Sequence, residues 1–184
     1  ALLALLPALA EAAACRDVRF EDLPYTICEV GTGDDLRLFH AGPDGAYGGF
    51  SALKAALEPQ GLDLQFAMNA GMFQPDLSPV GLYVENGVEL SPLITADGPG
   101  NFGLLPNGVF CIGEGFAIYE SRQFARKQPA CRYASQSGPM LVIKGDLHPR
   151  FLPDSDSLNI RNGVGVSADG TRAVFAISDR QVNF

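Results

Sequence analysis

Apolar and polar side chains alternate along much of this chain, as they do in strands that bury one face. The alternation is clearest at 17–21 and 25–30, and a glycine-rich turn at 31–34 follows the second segment. Apolar runs at 36–40 and 64–68 have the length of further strands. We therefore predict a strand over each of these four segments.

Four tight turns separate further pairs of strand-like segments. The turns are Asn86-Gly87, Asn107-Gly108, Lys144-Gly145-Asp146 and Asp169-Gly170. Asn-Gly suits a type I′ turn because both central residues take positive φ. The expected hairpins pair 81–85 with 88–90, 102–105 with 109–112, 140–143 with 147, and 164–167 with 172–177. Such local hairpins indicate antiparallel pairing, because parallel strands need long crossover connections.

Helical patterns are confined to two short segments, 51–58 and about 121–127. Ser51 is the expected N-cap of the first helix, and Pro59 with Gly61 ends it. The predicted fold class is therefore α+β, with a mostly antiparallel or mixed sheet built from hairpins and few helices.

The composition fits this fold class and narrows the range of partners. Of the 184 residues, 47% are hydrophobic and 18% are charged, which suits one globular domain with a sizeable core. The 21 glycines and 13 prolines favour a turn-rich sheet protein. The net charge of −8 argues against nucleic acid as a partner, because proteins bind phosphate backbones with concentrated positive charge.

The first residues differ in character from the rest of the chain. Residues 1–10 are rich in Leu and Ala, and small residues follow up to position 14. This pattern predicts the remnant of a secretory signal segment over 1–14, too short to span a bilayer. A buried N-terminal helix is the alternative interpretation. A signal segment implies a domain over 15–184, a periplasmic or secreted protein, and no transmembrane span.

Export makes the four cysteines candidates for disulfide bonds. The economical pairing joins Cys15 to Cys28 and Cys111 to Cys131, although four cysteines allow three connectivities. Two buried free thiols at 111 and 131 are the alternative. Zinc is disfavoured, because no CxxC sequence occurs and neither histidine lies near a cysteine.

Glycine-containing polar turns next to strand-like runs are the candidates for functional chemistry. Asn69 offers a hydrogen-bond donor and an acceptor, and Gly71 lets a ligand approach the backbone. Gln136 and Ser137 place an amide and a hydroxyl before a Gly-Pro pair. An Asx-turn at Asn69 and an ordinary loop at 135–138 are the structural alternatives.

Two charged positions near the end of the sequence extend this set. Arg161 enters a predicted strand and suits an anion, because a guanidinium binds phosphate in a forked geometry. A surface salt bridge is its structural alternative. Asp179 follows a hydrophobic strand and lies beside Arg180, so that an acid and a cation are adjacent.

Five segments, in this order, resemble the phosphodiester glycosidase family, in particular its small exported bacterial members. The segments are FAMNAGMF (66–73), SPVGLYVENG (78–87), GNFGLLPNGVF (100–110), SQSGPMLVIKG (135–145) and RNGVGVSADG (161–170). The best-known member of that family removes N-acetylglucosamine from a sugar-1-phosphodiester. The resemblance therefore implies an α+β fold and hydrolysis of the bond between a sugar and a phosphate. Family members continue into a strand ending in Leu-Asp-Gly, which implies that a C-terminal part is missing here.

The resemblance also implies site residues, carried over position by position. The catalytic set is Asn69, Gln136, Ser137, Arg161 and Asp179. The substrate-binding set is Gly71, Phe73, Gly138 and Asn162. In the expected mechanism, Arg161 holds the phosphate, the amide and hydroxyl groups bind the sugar or phosphate, and Asp179 orients the attacking water.

The sequence leaves two alternatives open. The first is an exported module that binds envelope glycans or lipids through the same turns without cleaving them. The second concerns a cofactor: none is expected and no metal ligands are assigned, yet Asp154, Ser155 and Asp156 leave a divalent cation open. The expected partner is a small-molecule or glycan phosphodiester.

Overall fold

The computed structural model describes residues 13–98, 100, 102–152 and 154–183. Most of the predicted signal segment, residues 1–12, lies outside the described residues. The strands are β1 Ala14–Phe20, β2 Leu23–Gly31, β3 Ala41–Gly42, β4 Gly45–Ala46, β5 Tyr83–Glu85, β6 Val88–Ser91, β7 Gly108–Ile112, β8 Phe116–Glu120, β9 Tyr133–Ser137, β10 Val142–Ile143, β11 Asp146–Leu147, β12 Asn162–Val166 and β13 Arg172–Ser178. The helices are α1 Phe50–Leu57 and α2 Ser121–Lys127, with a 3-10 turn at Glu58–Gln60.

Two antiparallel sheets dominate the fold. The first sheet has the strand order β1-β2-β13-β12, and the second has the order β6-β5-β9-β7-β8. Two small hairpins, β3-β4 and β10-β11, lie outside these sheets. The predicted α+β class, with antiparallel sheet and few helices, is confirmed.

The main hydrophobic core lies between the inner faces of the two sheets. Phe175 of β13 meets Phe110 of β7 edge-to-face, with ring centroids 5.8 Å apart. Phe66 packs against the same Phe175 at 5.3 Å, which places the 64–68 segment against this core. Aromatic pairs at these separations stabilise an interface beyond the apolar area that they bury.

The outer face of the second sheet carries a smaller core. Leu82, Val84, Val109 and Ala134 point to this face, because side chains alternate along each strand. Phe124 of α2 packs against them, together with the segment around residue 93. Helix α2 is held in place by Glu120, whose carboxylate accepts hydrogen bonds from two N–H groups of the first turn.

Both expected disulfides are present. Cys15 and Cys28 are opposite partners of the β1-β2 ladder, with Cα atoms 4.0 Å apart. Cys111 of β7 is bonded to Cys131, which precedes β9. The described residues contain no free cysteine, so the free-thiol alternative is wrong.

Three of the four predicted hairpins are confirmed. At 86–87 both turn residues have positive φ, 51° at Asn86 and 79° at Gly87, as a type I′ turn requires. The β10-β11 and β12-β13 hairpins also form, the first with two residues in each strand. In the last turn the Ser167 hydroxyl, with Thr171, donates to the Asp169 carboxylate and lowers the pKa of Asp169 to about 2.

The fourth hairpin, predicted around Asn107-Gly108, is wrong. Residues 102–105 form no strand, and β7 pairs instead with β8 across the turn at 113–115. Pro106 has no N–H to donate to a ladder, which disfavours a strand ending at Asn107. Asn107 itself is fully buried.

Three smaller predictions also need correction. Residues 36–40 and 64–68 are extended but join no ladder, although Leu38 is buried and Phe66 packs against the core. The predicted helix 52–58 spans Phe50–Leu57, and Gly49 occupies the N-cap position in place of Ser51.

Within the part of the chain that is described, no helix has the length and apolarity to cross a membrane.

Candidate functional site

The polar turns follow strand ends at one end of the two sheets, which we call the upper end. In the second sheet this end is formed by Ser137 of β9 and Gly108 of β7, which are register partners. In the first sheet it is formed by Asn162 of β12 and Ile177 of β13, also register partners. The segment 135–138 therefore contains the end of β9, and the segment 161–163 contains the start of β12.

Two contacts show that these strand ends belong to the same end of the molecule. At the upper end, a Cβ on Gly163 would lie 3.4 Å from the side chain of Leu141, which directly follows the 135–140 segment. At the opposite end, the N–H of Phe116 donates to the carbonyl of Gly170 at 2.8 Å. The two sheets are thus aligned, and two of the predicted site segments meet through Leu141 and Gly163.

The turn at Asn69 packs directly on strand β9. The hydroxyl of Ser135 donates to the carbonyl of Ala70 at 2.8 Å. A Cβ on Gly71 would lie 3.0 Å from the carbonyl oxygen of Gln136, so close approach of the protein backbone favours glycine there, and the approach of a ligand to Gly71 stays a prediction. The Asn69 side chain is exposed, and no group among the described residues hydrogen-bonds to its amide. Its donor and acceptor are therefore available to a ligand.

Neighbouring residues of β9 face opposite sides of the sheet. Ser135 pairs with Phe110, a member of the inner core, so Ser135 and Ser137 point to the inner face. Gln136 points to the outer face. The hydroxyl of Ser137 has no hydrogen-bond partner among the described residues and is accessible in part. Ser137 thus lies on the same side of β9 as the Asn69 turn, and the Gln136 side chain does not.

The Gln136 side chain is fully engaged with the protein. Its Oε1 accepts from the N–H groups of Leu82, at 3.1 Å, and Ile94, at 3.0 Å. Its Nε2 donates to the carbonyl of Ile94 at 2.5 Å, and the residue is 1% exposed. These contacts are those of a residue that positions the loop after β6. A direct contact between Gln136 and substrate stays a prediction.

Gly138 is adjacent to a second buried amide. A Cβ at position 138 would lie 1.8 Å from Oδ1 of Asn107, so packing alone demands glycine there. The Nδ2 of Asn107 donates to the carbonyl of Phe102 at 2.7 Å, while its Oδ1 is buried and has no hydrogen-bond partner among the described residues. The sequence pattern placed Asn107 in an exposed hairpin turn, and no signal in it indicated burial.

Arg161 is held by the segments on either side of it. Its guanidinium donates to the carbonyl of Ser157 at 2.7 Å and reaches the carbonyl of Val182 at 3.4 Å. Burial lowers the pKa of Arg161. Its backbone N–H donates to the buried hydroxyl of Ser178, which fixes the entry to β12. The phosphate-binding role of Arg161 stays a prediction, and part of its donor capacity is already used.

The remaining predicted site residues lie at the surface. Asp179 is exposed and accepts a hydrogen bond from Thr26 of β2 at 3.3 Å, on the opposite side of β13 from β12. Its carboxylate is therefore directed away from Arg161. Phe73 is 55% exposed in the loop after the Asn69 turn, and Asn162 is exposed at the start of β12.

The loop acids considered for a cation are exposed. Asp154 and Asp156 lie in an irregular segment, where the carbonyl of Asp156 accepts the N–H of Leu158. Within the described residues, no three His, Cys, Asp or Glu side chains are grouped as a metal site requires.

Sequence reasoning missed His148. The residue is 2% exposed, its Nε2 contacts the carbonyl of Leu105 in a distant segment, and its Nδ1 contacts the nearby N–H of Arg150. Sequence reasoning also missed the role of Ser135, whose hydroxyl anchors the Asn69 turn. The position of Ser135, a polar residue that alternates with buried ones on a strand, could have indicated its role. Nothing in the sequence around His148 indicates burial.

Comparison with known proteins shows the family of this chain. The family model described as phosphodiester glycosidase matches residues 63–183, which contain the Asn69 turn, β9 and the entry to β12. The chain is also similar to the uncharacterized protein YigE of Escherichia coli (strain K12), with 41% identity over 140 residues. That alignment covers 76% of this chain and 54% of YigE, so the chain spans about half the length of this relative. The chain belongs to the phosphodiester glycosidase family.

Proposed function

We propose that the protein is a hydrolase that cleaves the glycosidic bond of a sugar-1-phosphodiester, such as one of N-acetylglucosamine. The observation that carries the proposal is the contact between the Asn69 turn and β9, made by Ser135 and Ala70 at 2.8 Å. Through it, two family-matching segments present a free amide at Asn69 and a free hydroxyl at Ser137 on one side of the sheet.

The proposed reaction makes modest demands on the protein. Water attacks C1 of the sugar, the bond between C1 and the phosphate oxygen breaks, and the products are the free sugar and a phosphate monoester. The leaving phosphate carries the electron pair of that bond and needs little protonation, while the proton lost by water passes to solvent. The site therefore mainly binds the anion and positions the sugar and the water.

The described geometry divides the expected roles. Asn69 and Ser137 bind the sugar or phosphate directly, because their polar atoms are not used within the described chain. Gln136 is a positioning residue that holds the loop after β6. The guanidinium of Arg161 already bonds to Ser157 and Val182, so its role in holding the phosphate stays a prediction, as does the role of Asp179 in orienting water. The two disulfides support a periplasmic or secreted location.

A panel of chromogenic sugar-1-phosphodiesters tests this function on the intact, disulfide-bonded chain. We expect release of free sugar, and we expect Asn69→Ala and Ser137→Ala each to lower kcat/KM by about tenfold or more. Ser51→Ala is the matched control, because Ser51 is exposed on α1 and should leave kcat/KM unchanged.

Saturable binding of these compounds without release of sugar would show that the protein is a glycan-binding module and not an enzyme. Release of sugar at parent rates by both variants would support the enzymatic function and would contradict the assignment of these two residues to its site.

A further inference from the structure

An open hollow of about 390 Å³ lies beside the upper end of the second sheet. One wall is formed by the loop that contains Asp97, Gly98, Gly100 and Gly103, and Arg150 stands on the other wall. Small-ligand sites have volumes of roughly 300–1,000 Å³, so this hollow accommodates a group the size of a phosphate with an attached sugar.

Three glycines, Gly98, Gly100 and Gly103, contribute backbone to the loop wall. A Cβ on Gly103 would lie 1.6 Å from the carbonyl oxygen of Gly98, so only glycine fits at 103. Gly100 has a φ of 69°, in the left-handed region that glycine adopts without strain. Bare peptide groups of glycine-rich loops are the surfaces on which proteins bind phosphate oxygens.

Arg150 supplies positive charge to the other wall. Its guanidinium makes no hydrogen bond or ion pair with the described residues, in contrast to that of Arg161. A free guanidinium can donate two parallel hydrogen bonds to the oxygens of a phosphodiester. Of these two arginines, Arg150 is therefore the one whose donors are available to an anion.

The buried side chain of His148 contacts the backbone of both walls. Nδ1 of His148 accepts from the backbone N–H of Arg150 at 3.2 Å, so this nitrogen carries no proton. Nε2 then bears the proton and donates to the carbonyl of Leu105 at 3.2 Å. Because His148 is 2% exposed and stacks on Phe151, it fixes the backbone of Arg150 relative to the loop.

The hollow is anchored to the strand ends of the candidate site. Gln136 holds the loop at Ile94, and Asn107 holds it at Phe102. The N–H of Met140, just beyond Gly138, donates to the carbonyl of Pro106 at 2.9 Å. The buried amides thus place the hollow next to the segment that carries Ser137.

One carboxylate in the lining opposes an anion. Asp97 forms an ion pair with Arg122 at 3.7 Å, and its side chain is 82% exposed. Arg122 offsets the charge of Asp97, whereas Arg150, which is exposed as well, forms no ion pair among the described residues.

We propose that this hollow binds the phosphate group of the phosphodiester, with Arg150 as the residue that holds it. The assignment to a phosphodiester substrate rests on the proposed function, whereas the binding of a phosphate anion does not. The contact between Met140 and Pro106 places this hollow beside the segment that carries Ser137.

Calorimetric titration of the intact chain with inorganic phosphate and with dimethyl phosphate tests this assignment. We expect both probes to bind, and Arg150→Gln to weaken binding by about tenfold or more. Arg150→Lys should retain part of the affinity, because it keeps the charge and loses the forked donors. Gly103→Ala should also weaken binding, because the added methyl group displaces the loop. Arg16→Gln, on the exposed edge strand β1, is the charge-matched control and should bind as the parent does.

Two outcomes would overturn the assignment: failure of the parent chain to bind either probe, and binding by Arg150→Gln within twofold of the parent. If the parent also releases sugar, Arg150→Gln should raise KM, and an unchanged kcat/KM would remove the hollow from the site while retaining the enzyme. Anion binding through Arg150 without any release of sugar would support the anion site in the hollow and contradict the proposed hydrolase function.

Discussion

Buried side-chain amides organise the upper end of the molecule at the scale of single residues. Gln136 bonds the backbone at Leu82 and Ile94, and Asn107 bonds the backbone at Phe102. Together they hold the 92–105 loop, whose described residues form no strand or helix, against the second sheet. A buried polar group that satisfies backbone in this way is costly to remove, because its partners are left without water or protein contacts.

Replacement of Gln136 by Leu should therefore destabilise the fold. The variant leaves the N–H groups of Leu82 and Ile94 unsatisfied, and we expect a loss of about 3 kcal/mol in the free energy of unfolding. Urea unfolding followed by circular dichroism measures the change. Gln65→Leu is the control: Gln65 is exposed and bonds to Asp63, so its replacement should cost less than about 0.5 kcal/mol. Equal losses in the two variants would contradict the role of Gln136.

The sequence predicted the residues of this end better than their roles. The polar side-chain atoms of Asn69 and Ser137 have no hydrogen-bond partner among the described residues, and their roles in binding stay predictions. Gln136 adjoins Ser137 in the same motif, yet it faces the other side of β9, and alternation could be applied only once 133–137 was known to be a strand. Arg150 gave no signal, because its position depends on contacts of His148 that are distant in sequence.

Turns decide where the elements begin and end. The Asn86-Gly87 and Asp169-Gly170 turns were predictable, because a tight turn is determined by the backbone preferences of adjacent residues. The same reasoning failed at Asn107-Gly108, since there the asparagine is buried against Gly138, 31 positions away in the chain. The local turn preference of a residue is overridden when the residue has a tertiary partner of this kind.

Gly138 and Gly165 provide a matched pair at the scale of elements. Gly138→Ala places a methyl group against Oδ1 of Asn107, and we expect a loss of about 1–3 kcal/mol in stability. Gly165 lies within β12 with nothing inside 4 Å of its Cβ position, so Gly165→Ala should be neutral or stabilise by less than about 1 kcal/mol. Thermal unfolding of both variants measures the difference, and a neutral Gly138→Ala would refute the packing argument.

The two sheets form one body because they share a core. Phe175 of β13 contacts Phe110 of the second sheet and Phe66 of the connecting segment. The presence of sheets and hairpins was predictable, but their order was not. The pairing of β2 with β13 joins residues more than a hundred positions apart, and no local pattern specifies such a partner.

Phe175→Ala should weaken the whole molecule. The change opens a cavity between the sheets, and we expect a loss of about 3–5 kcal/mol with both sheets unfolding in one transition. Phe20→Ala is the control, because Phe20 is 65% exposed at the end of β1 and should cost less than about 1 kcal/mol. Separate melting of the two sheets, followed by hydrogen exchange at β2 and β9, would show that they are independent units.

The pairing of β2 with β13 also determines the order in which the protein can assemble. Arg172 of β13 is bonded to Glu29 of β2, a residue made 143 positions earlier. On a growing chain, the hairpin of β1 and β2 must therefore wait, with one edge unpaired, until β13 has been synthesised. Strands β1 and β2 are therefore among the last of the described strands to find their complete set of neighbours.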